Sequence, residues 1–286
     1  MRKYRNSFIA ILLVLGAALW ALWPQAPQDG VVTSLYKSES KAPLLILLGG
    51  SEGGMWDGAS YEAQDLIERG YNVLSVGYFK MPGISAQLNR INLDAFQGLI
   101  DAMQREPSVL PDCIGVIGGS KGAELALLLG SYYPDLHLVV GVTPSHVAFQ
   151  ASNITVFSNS SWQINGREIP YVPYPRLSRA TLKGVLDGES YLDMHVLALN
   201  DKVAENSARI KVENINGPVL LISGEHDQMW PSKYMAEQVM ERLSAHDFTH
   251  TAEHVAWDTD HYILDDPLAW QHVANFVDRS FADCGL

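Results

Sequence analysis

Only two cysteines occur in the chain, Cys113 and Cys284, and that scarcity removes two readings at once. Two residues so far apart do not make a disulfide framework, and neither has a partner at the short spacing that a metal site needs. A single bridge in an oxidising compartment stays open. Basic residues are scarce as well: 20 Lys and Arg stand against 32 Asp and Glu, for a formal charge of −12. Nucleic acid is therefore excluded as a partner, because its phosphates call for a clustered basic face. Long apolar runs are almost absent. The exception is Phe8–Trp23 (FIAILLVLGAALWALW), which follows Arg2, Lys3 and Arg5 and ends at Pro24.

A positive end followed by an apolar run is the order of an export signal. At 1.5 Å per residue this run reaches roughly 24 Å, a little short of a hydrocarbon core of about 30 Å, so length alone does not separate a cleaved signal from an anchor. No clean A-x-A site follows, whereas Trp20 and Trp23 suit a membrane interface. The reading favoured is an uncleaved anchor with its positive end in the cytoplasm and the rest of the chain exported; secretion after cleavage is the alternative. The sequons at Asn153 and Asn159 would carry glycans only in a eukaryotic secretory pathway.

What is present is ample apolar content, 47%, enough for one large core. The chain divides into a signal or anchor (1–24), a linker with a first edge strand (25–43), and one globular domain (44–286). Continuous apolar runs at Leu44–Leu48, Tyr71–Val76, Ile114–Ile117, Leu138–Val142, Pro218–Ser223 and Thr251–Trp257 read as strands covered on both faces. Between them Tyr61–Arg69, Leu88–Arg105, Lys121–Ser131 and Ser232–Ala245 have helical spacing, and a last helix lies around Leu268–Phe281. This alternation predicts a mostly parallel, doubly wound α/β sheet. Residues 144–217 interrupt it with a polar, aromatic segment and one modest helical stretch, long enough for an inserted cap.

The stretch IGVIGGSKGAELALLLG (114–130) places Ser120 in a G-x-S-x-G pattern between a strand and a helix. That is the setting of a nucleophile elbow: the turn is strained, strand and helix approach closely, and the Lys121 N–H opens the helix. A phosphate-binding turn is the competing reading, but neither G-x-x-x-x-G-K-[ST] nor G-x-G-x-x-G occurs here. A serine of this kind needs an acid and then a histidine later in the chain, each at a strand's end. Asp227 follows Pro218–Ser223, and His261 follows Thr251–Trp257. Glu225, His226, Asp258 and Asp260 read as solvated or turn-capping neighbours, and His246, His250 and His254 as structural. A second oxyanion donor is expected from LLGGSEGGMW, with the Ser51 or Glu52 N–H as the choice. Trp230 is expected to pack behind the acid loop, and the cap aromatics Phe157, Trp162, Tyr171, Tyr174 and Tyr191 are candidates for lining an apolar pocket.

The runs SKGAELAL, LLGGSEGG, GPVLLISGEHDQMWPS and DTDHYI resemble the C-terminal catalytic domain shared by acyl-CoA thioesterases and bile acid-CoA:amino acid N-acyltransferases. The resemblance covers roughly residues 40–280. It implies an α/β-hydrolase fold and puts Ser120, Asp227 and His261 in the nucleophile, acid and base positions. The thioesterase branch uses serine there and the transferase branch typically cysteine, so Ser120 leans towards hydrolysis. The family's larger members carry an N-terminal β-sandwich domain, for which Pro24–Pro43 leaves no room. An exported domain would also not meet cytoplasmic acyl-CoA, so address and family disagree about the substrate. The expectation is a serine hydrolase acting on a small-molecule ester or thioester with an apolar acyl part, needing no metal, nucleotide or flavin. An acyltransferase and a non-catalytic binding protein of the same fold are the alternatives.

Overall fold

A computed structural model describes residues 30–151, 158–175, 178–187 and 190–284. In chain order the first half contains β1 (Val32–Tyr36), β2 (Ala42–Leu48), α1 (Tyr61–Glu68), β3 (Asn72–Gly77), β4 (Ile91–Asn92), α2 (Asp94–Gln104), β5 (Val109–Gly119), α3 (Lys121–Tyr132) and β6 (Leu138–Val142). There follow β7 (Trp162–Ile164), β8 (Arg167–Glu168), α4 (Arg179–Asp187), α5 (Leu192–Ala198), α6 (Lys202–Ala208), β9 (Val219–Gly224), α7 (Ser232–Ala245), β10 (Ala252–Trp257) and α8 (Pro267–Ser280). The run Phe8–Trp23, the Asn153 sequon and Phe157 lie outside the described residues. Among those described, no helix is long and apolar enough to cross a membrane.

Seven strands form one sheet in the order β1-β3-β2-β5-β6-β9-β10, with β1 antiparallel to β3 and every other pair parallel. The sequence of β2, APLLILL, shows why: all seven residues are buried, as a strand covered on both faces requires. Alternate side chains go to opposite layers. Leu44, Ile46 and Leu48 join a core with Phe96 and Ile100 of α2, Leu125 to Leu129 of α3 and Val239 of α7. Leu45 and Leu47 join another with Leu66 of α1 and Trp270, Val273 and Val277 of α8. Each such aliphatic side chain contributes about 1.5–3 kcal/mol by leaving water. Polar ties fix the second layer, where Asp65 accepts from Arg69 at 2.8 Å and from the Trp270 indole at 2.9 Å. Cys113, early in β5, is disulfide-bonded to Cys284, just beyond α8, which resolves the pairing that the sequence left open.

Two helix expectations are corrected. Leu88–Arg105 does not form one helix, because Arg90, Ile91 and Leu93 donate their backbone N–H groups to the carbonyls of Ser160, Ser161 and Gln163. Arg90 also has φ 51°, outside the helical region, so α2 begins only at Asp94. Among the described residues of 144–217 stand three short α-helices, α4 to α6, and the strands β7 and β8, which form a small sheet with β4, where one helical stretch was expected. Seven-residue helices such as α5 and α6 are too short to show a clear apolar period.

Candidate active site

The chain leaves β2 in one direction along the sheet to β3, and leaves β5 in the other through β6 and β9 to β10. Ligand crevices of open parallel sheets form outside the strand ends at such a reversal. Ser120 sits there, directly after β5. Its backbone has φ 54° and ψ −118°, a conformation that costs a non-glycine residue energy and is kept only by close packing around it. The packing is visible at its neighbours. A Cβ on Gly118 would lie 2.0 Å from the Gly122 carbonyl oxygen, and a Cβ on Gly122 would lie 2.3 Å from that of Leu48. Although Ser120 occupies the N-cap position of α3, its hydroxyl makes no capping bond and is free for another partner.

That partner is His261. The Ser120 hydroxyl lies 2.9 Å from Nε2 of His261, whose Nδ1–H donates to Asp227 at 2.9 Å (Oδ2) and 3.0 Å (Oδ1). The acid is fixed in turn, because its Oδ1 accepts the Met229 and Trp230 backbone N–H groups at 2.9 and 3.2 Å. Asp227 and the His261 ring are largely buried. The fold thus brings three side chains from the ends of β5, β9 and β10 into one hydrogen-bonded line. A base held in this way can take the hydroxyl proton as the oxygen attacks an electrophile.

The neighbouring candidates lie elsewhere. His226 pairs with Asp258 at 2.8 Å on the exposed surface, and Glu225 pairs with Lys233. Among the described residues Glu225, His226 and Asp258 are the one group whose ligand atoms all lie within 4.8 Å, and it is solvent-exposed with its members already partnered. Asp260 accepts from the Tyr262 N–H, and His254 bonds Ser223 within the sheet.

The glycine loop after β2 meets Ser120 through Gly50, where a Cβ would stand 3.2 Å from the serine Cβ. Ser51 and Glu52 are exposed, and the Glu52 carboxylate folds back to accept the Gly50 N–H at 2.7 Å. Opposite, the first turn of α3 carries a buried ion pair, with Lys121 Nζ 2.9 and 2.8 Å from the two carboxylate oxygens of Glu124. Burial lowers the lysine pKa against the pull of that carboxylate.

Trp230 packs edge-on at 6.0 Å from His261 and begins an aromatic wall. Phe149 stacks on Trp230 and on Tyr174, and His195 meets all three edge-on at 5.0 to 5.7 Å. Of the cap aromatics singled out in the sequence, Tyr174 stands in this wall. Trp162 is fully buried against Tyr78, Tyr171 packs on the main core, and Tyr191 precedes α5. Sequence reasoning found the glycine loop around Gly50 but missed Glu124 and His195. A glutamate inside the apolar run AELALLL was a signal for one of them; His195, on a seven-residue helix, offered none.

A family model described as "BAAT / Acyl-CoA thioester hydrolase C terminal" matches residues 91–279. The peroxisomal succinyl-coenzyme A thioesterase of Mus musculus is 26% identical over 206 residues, covering 71% of this chain and 45% of its own. An acyl-coenzyme A amino acid N-acyltransferase 2 of the same organism is 26% identical over 223 residues, covering 77% and 49%. The chain thus spans less than half the length of these relatives. Among solved structures, a puromycin-hydrolyzing peptidase of Mycobacterium tuberculosis aligns over 91% of this chain and 39% of its own, with a TM-score of 0.62 at 12% identity. DcsB, in complex with its substrate analogue, aligns over 89% and 98% with a TM-score of 0.59 at 14% identity. The sheet order is that of the α/β-hydrolase fold, and with two thirds of its length matched by the family model the chain belongs to the BAAT / acyl-CoA thioester hydrolase C-terminal family.

Proposed function

We propose that this protein is a serine hydrolase that cleaves an ester or thioester with an apolar acyl group. The observation that carries the reading is the continuous line from Ser120 through His261 to Asp227 at 2.9 Å per step. As Ser120 Oγ attacks the acyl carbonyl carbon, its proton passes to His261 Nε2, and Asp227 stabilises the imidazolium. The tetrahedral oxyanion faces the Lys121 N–H at the start of α3 and, on the glycine loop, the Ser51 or Glu52 N–H, since the Gly50 N–H is already taken by the Glu52 carboxylate. Collapse of this intermediate returns the proton from Nε2 to the departing alcohol or thiol and leaves an acyl-serine. Water, deprotonated by the same nitrogen, then releases the acid and restores the hydroxyl. The largely buried cluster of Phe149, Tyr174 and Trp230 beside His261 gives the site an apolar flank, against which an apolar acyl part fits.

The relatives named for acyl-coenzyme A point to a thioester as one substrate class, and the N-acyltransferase relative supports transfer to an amine as the second reading. We place the catalytic domain outside the cytoplasm, held to the membrane by residues 8–23 or released by cleavage. The Cys113–Cys284 bridge supports that address, since such bonds persist in oxidising compartments. The test is fluorophosphonate labelling of the detergent-solubilised full chain beside Ser120→Ala and His261→Ala variants, with turnover of short and long p-nitrophenyl and acyl-CoA esters. Labelling is expected to require both residues, and Ser120→Ala is expected to fold and lose turnover. Equal labelling of the Ser120→Ala protein would remove the assignment. Product analysis with and without an amine acceptor separates hydrolysis from transfer.

A further inference from the structure

Glu124 is the most heavily engaged carboxylate near the site, and it is fully buried. It accepts Lys121 Nζ on both oxygens, the Phe149 backbone N–H at 3.0 Å and the Trp162 indole N–H at 2.6 Å. Taking two charges out of water costs several kcal/mol per ion, and a well-packed apolar pair of similar volume often serves stability as well. Stability alone therefore does not explain an ion pair here. Its position does: Lys121 is the residue directly after Ser120, and the Glu124 N–H bonds the Ser120 carbonyl at 3.1 Å.

We propose that the buried Lys121–Glu124 pair is a positioning element that holds the two walls of the oxyanion site and the cap in one register. The proposal rests on the serine-hydrolase reading above. On the α3 side, Glu124 draws the Lys121 side chain inward, where its ammonium lies 5.9 Å from the Phe149 ring centre and 5.5 Å from that of Trp162. Anchoring that side chain at its far end restrains the 120–121 peptide whose N–H faces the oxyanion. On the loop side the same carboxylate fixes Trp162, which packs 5.9 Å from Tyr78, and the Tyr78 hydroxyl donates to the Gly49 carbonyl at 2.5 Å. Gly49 precedes Gly50, the glycine that abuts Ser120. One carboxylate thus joins the helix donor to the glycine loop through Trp162 and Tyr78. To the cap it is joined through Phe149, which also stands in the aromatic wall.

Misplacing reacting groups by about 1 Å can cost on the order of a hundredfold in rate. Two variants test the coupling. Trp162→Phe deletes the N–H donor to Glu124, together with part of the buried ring volume beside Tyr78; the double variant Lys121→Met/Glu124→Gln removes both charges together, so that neither is left unpaired. The readouts are kcat and KM for p-nitrophenyl butyrate per fluorophosphonate-titrated site, and Ki for a trifluoromethyl ketone whose serine adduct carries the oxyanion. For Trp162→Phe, kcat is expected to fall roughly tenfold and for the double variant roughly a hundredfold, with KM changed less than about threefold. Ki should rise by the same factor as kcat/KM falls, because the adduct resembles the transition state. A purely structural pair would lower the melting temperature and leave kcat per titrated site and Ki unchanged, which overturns the proposal. If the double variant does not fold, Trp162→Phe decides alone. A wild type that neither labels nor turns over any ester removes the hydrolase reading and this proposal together; a labelled, active wild type with unchanged variants removes the proposal alone.

Discussion

At Ser120 a left-handed backbone conformation is kept on a residue with a side chain, and two glycines make room for it. Since a Cβ on Gly118 would penetrate to 2.0 Å of a backbone oxygen that has no freedom to retreat, Gly118→Ala is expected to destabilise the fold by about 3 kcal/mol or more. Urea unfolding measures this directly, and a midpoint within error of wild type would mean that β5 and α3 are not packed as described. Asp227 is a different kind of residue, one whose loss leaves the packing in place. Asp227→Asn retains the shape but presents an amide to His261 Nδ1, which favours the wrong tautomer for accepting the serine proton. A fall in kcat of about 10³- to 10⁴-fold with little change in melting temperature is expected. These residues were legible because each chemical type follows a strand-like run, so order along the chain implied nearness in space. The loop around Gly50 was legible from its glycines, whereas the contact of that one residue with Ser120 depends on how two loops meet across the sheet.

Elements show where local pattern holds and where it yields. The long parallel strands and α7 were legible because continuous burial on both faces, or a helical period sustained over fourteen residues, admits few other structures. Leu88–Leu93 has helical spacing too, but three backbone donors taken by the 160–163 segment outweigh it. The short helices α5 and α6 are held by tertiary contacts instead, including a buried histidine from or against each. His195 of α5 sits among Phe149, Tyr174 and Trp230, with Nδ1–H donating to the Tyr191 carbonyl at 3.0 Å and with Lys121 and Asp227 nearby. His146 packs on α6, bonded to Glu205 at 3.0 Å, with Arg209, Lys202 and the Tyr234 ring around it. Burial lowers both pKa values to about 4. The unfolded chain takes up these protons near pH 6.5, and the folded one only near pH 4. Stability should therefore be complete above pH 6.5 and fall as pH drops through that window, by at most about 3 kcal/mol per histidine. Urea midpoints at pH 7.5, 5.5 and 4.5 check this: His195→Gln and His146→Gln should each flatten the decline, and parallel curves would refute it.

The whole molecule separates the ends of the sheet by task. Reactive side chains collect beyond the C-terminal ends of the strands, while the Cys113–Cys284 bridge ties an early residue of β5 to the chain just past α8. Six strand residues lie between Cys113 and Ser120, about 20 Å along an extended chain, so the bridge lies well away from the chemistry. It joins residues 171 apart in sequence, and in the chain-entropy model a closure of that length restricts the unfolded ensemble by about 5 kcal/mol. Reduction should thus weaken the fold without touching the site. Treatment with a phosphine reductant, or Cys113→Ser/Cys284→Ser replacement, is expected to lower the unfolding free energy by about 2–5 kcal/mol. The fluorophosphonate labelling rate of the folded protein without denaturant should stay the same. Loss of labelling at unchanged folded population would place the bridge in the catalytic geometry and contradict the separation drawn here. An unchanged urea midpoint would show that the bridge does not stabilise the fold, whereas free thiols at Cys113 and Cys284 in the purified protein would remove the structural support for an oxidising, extracytoplasmic address.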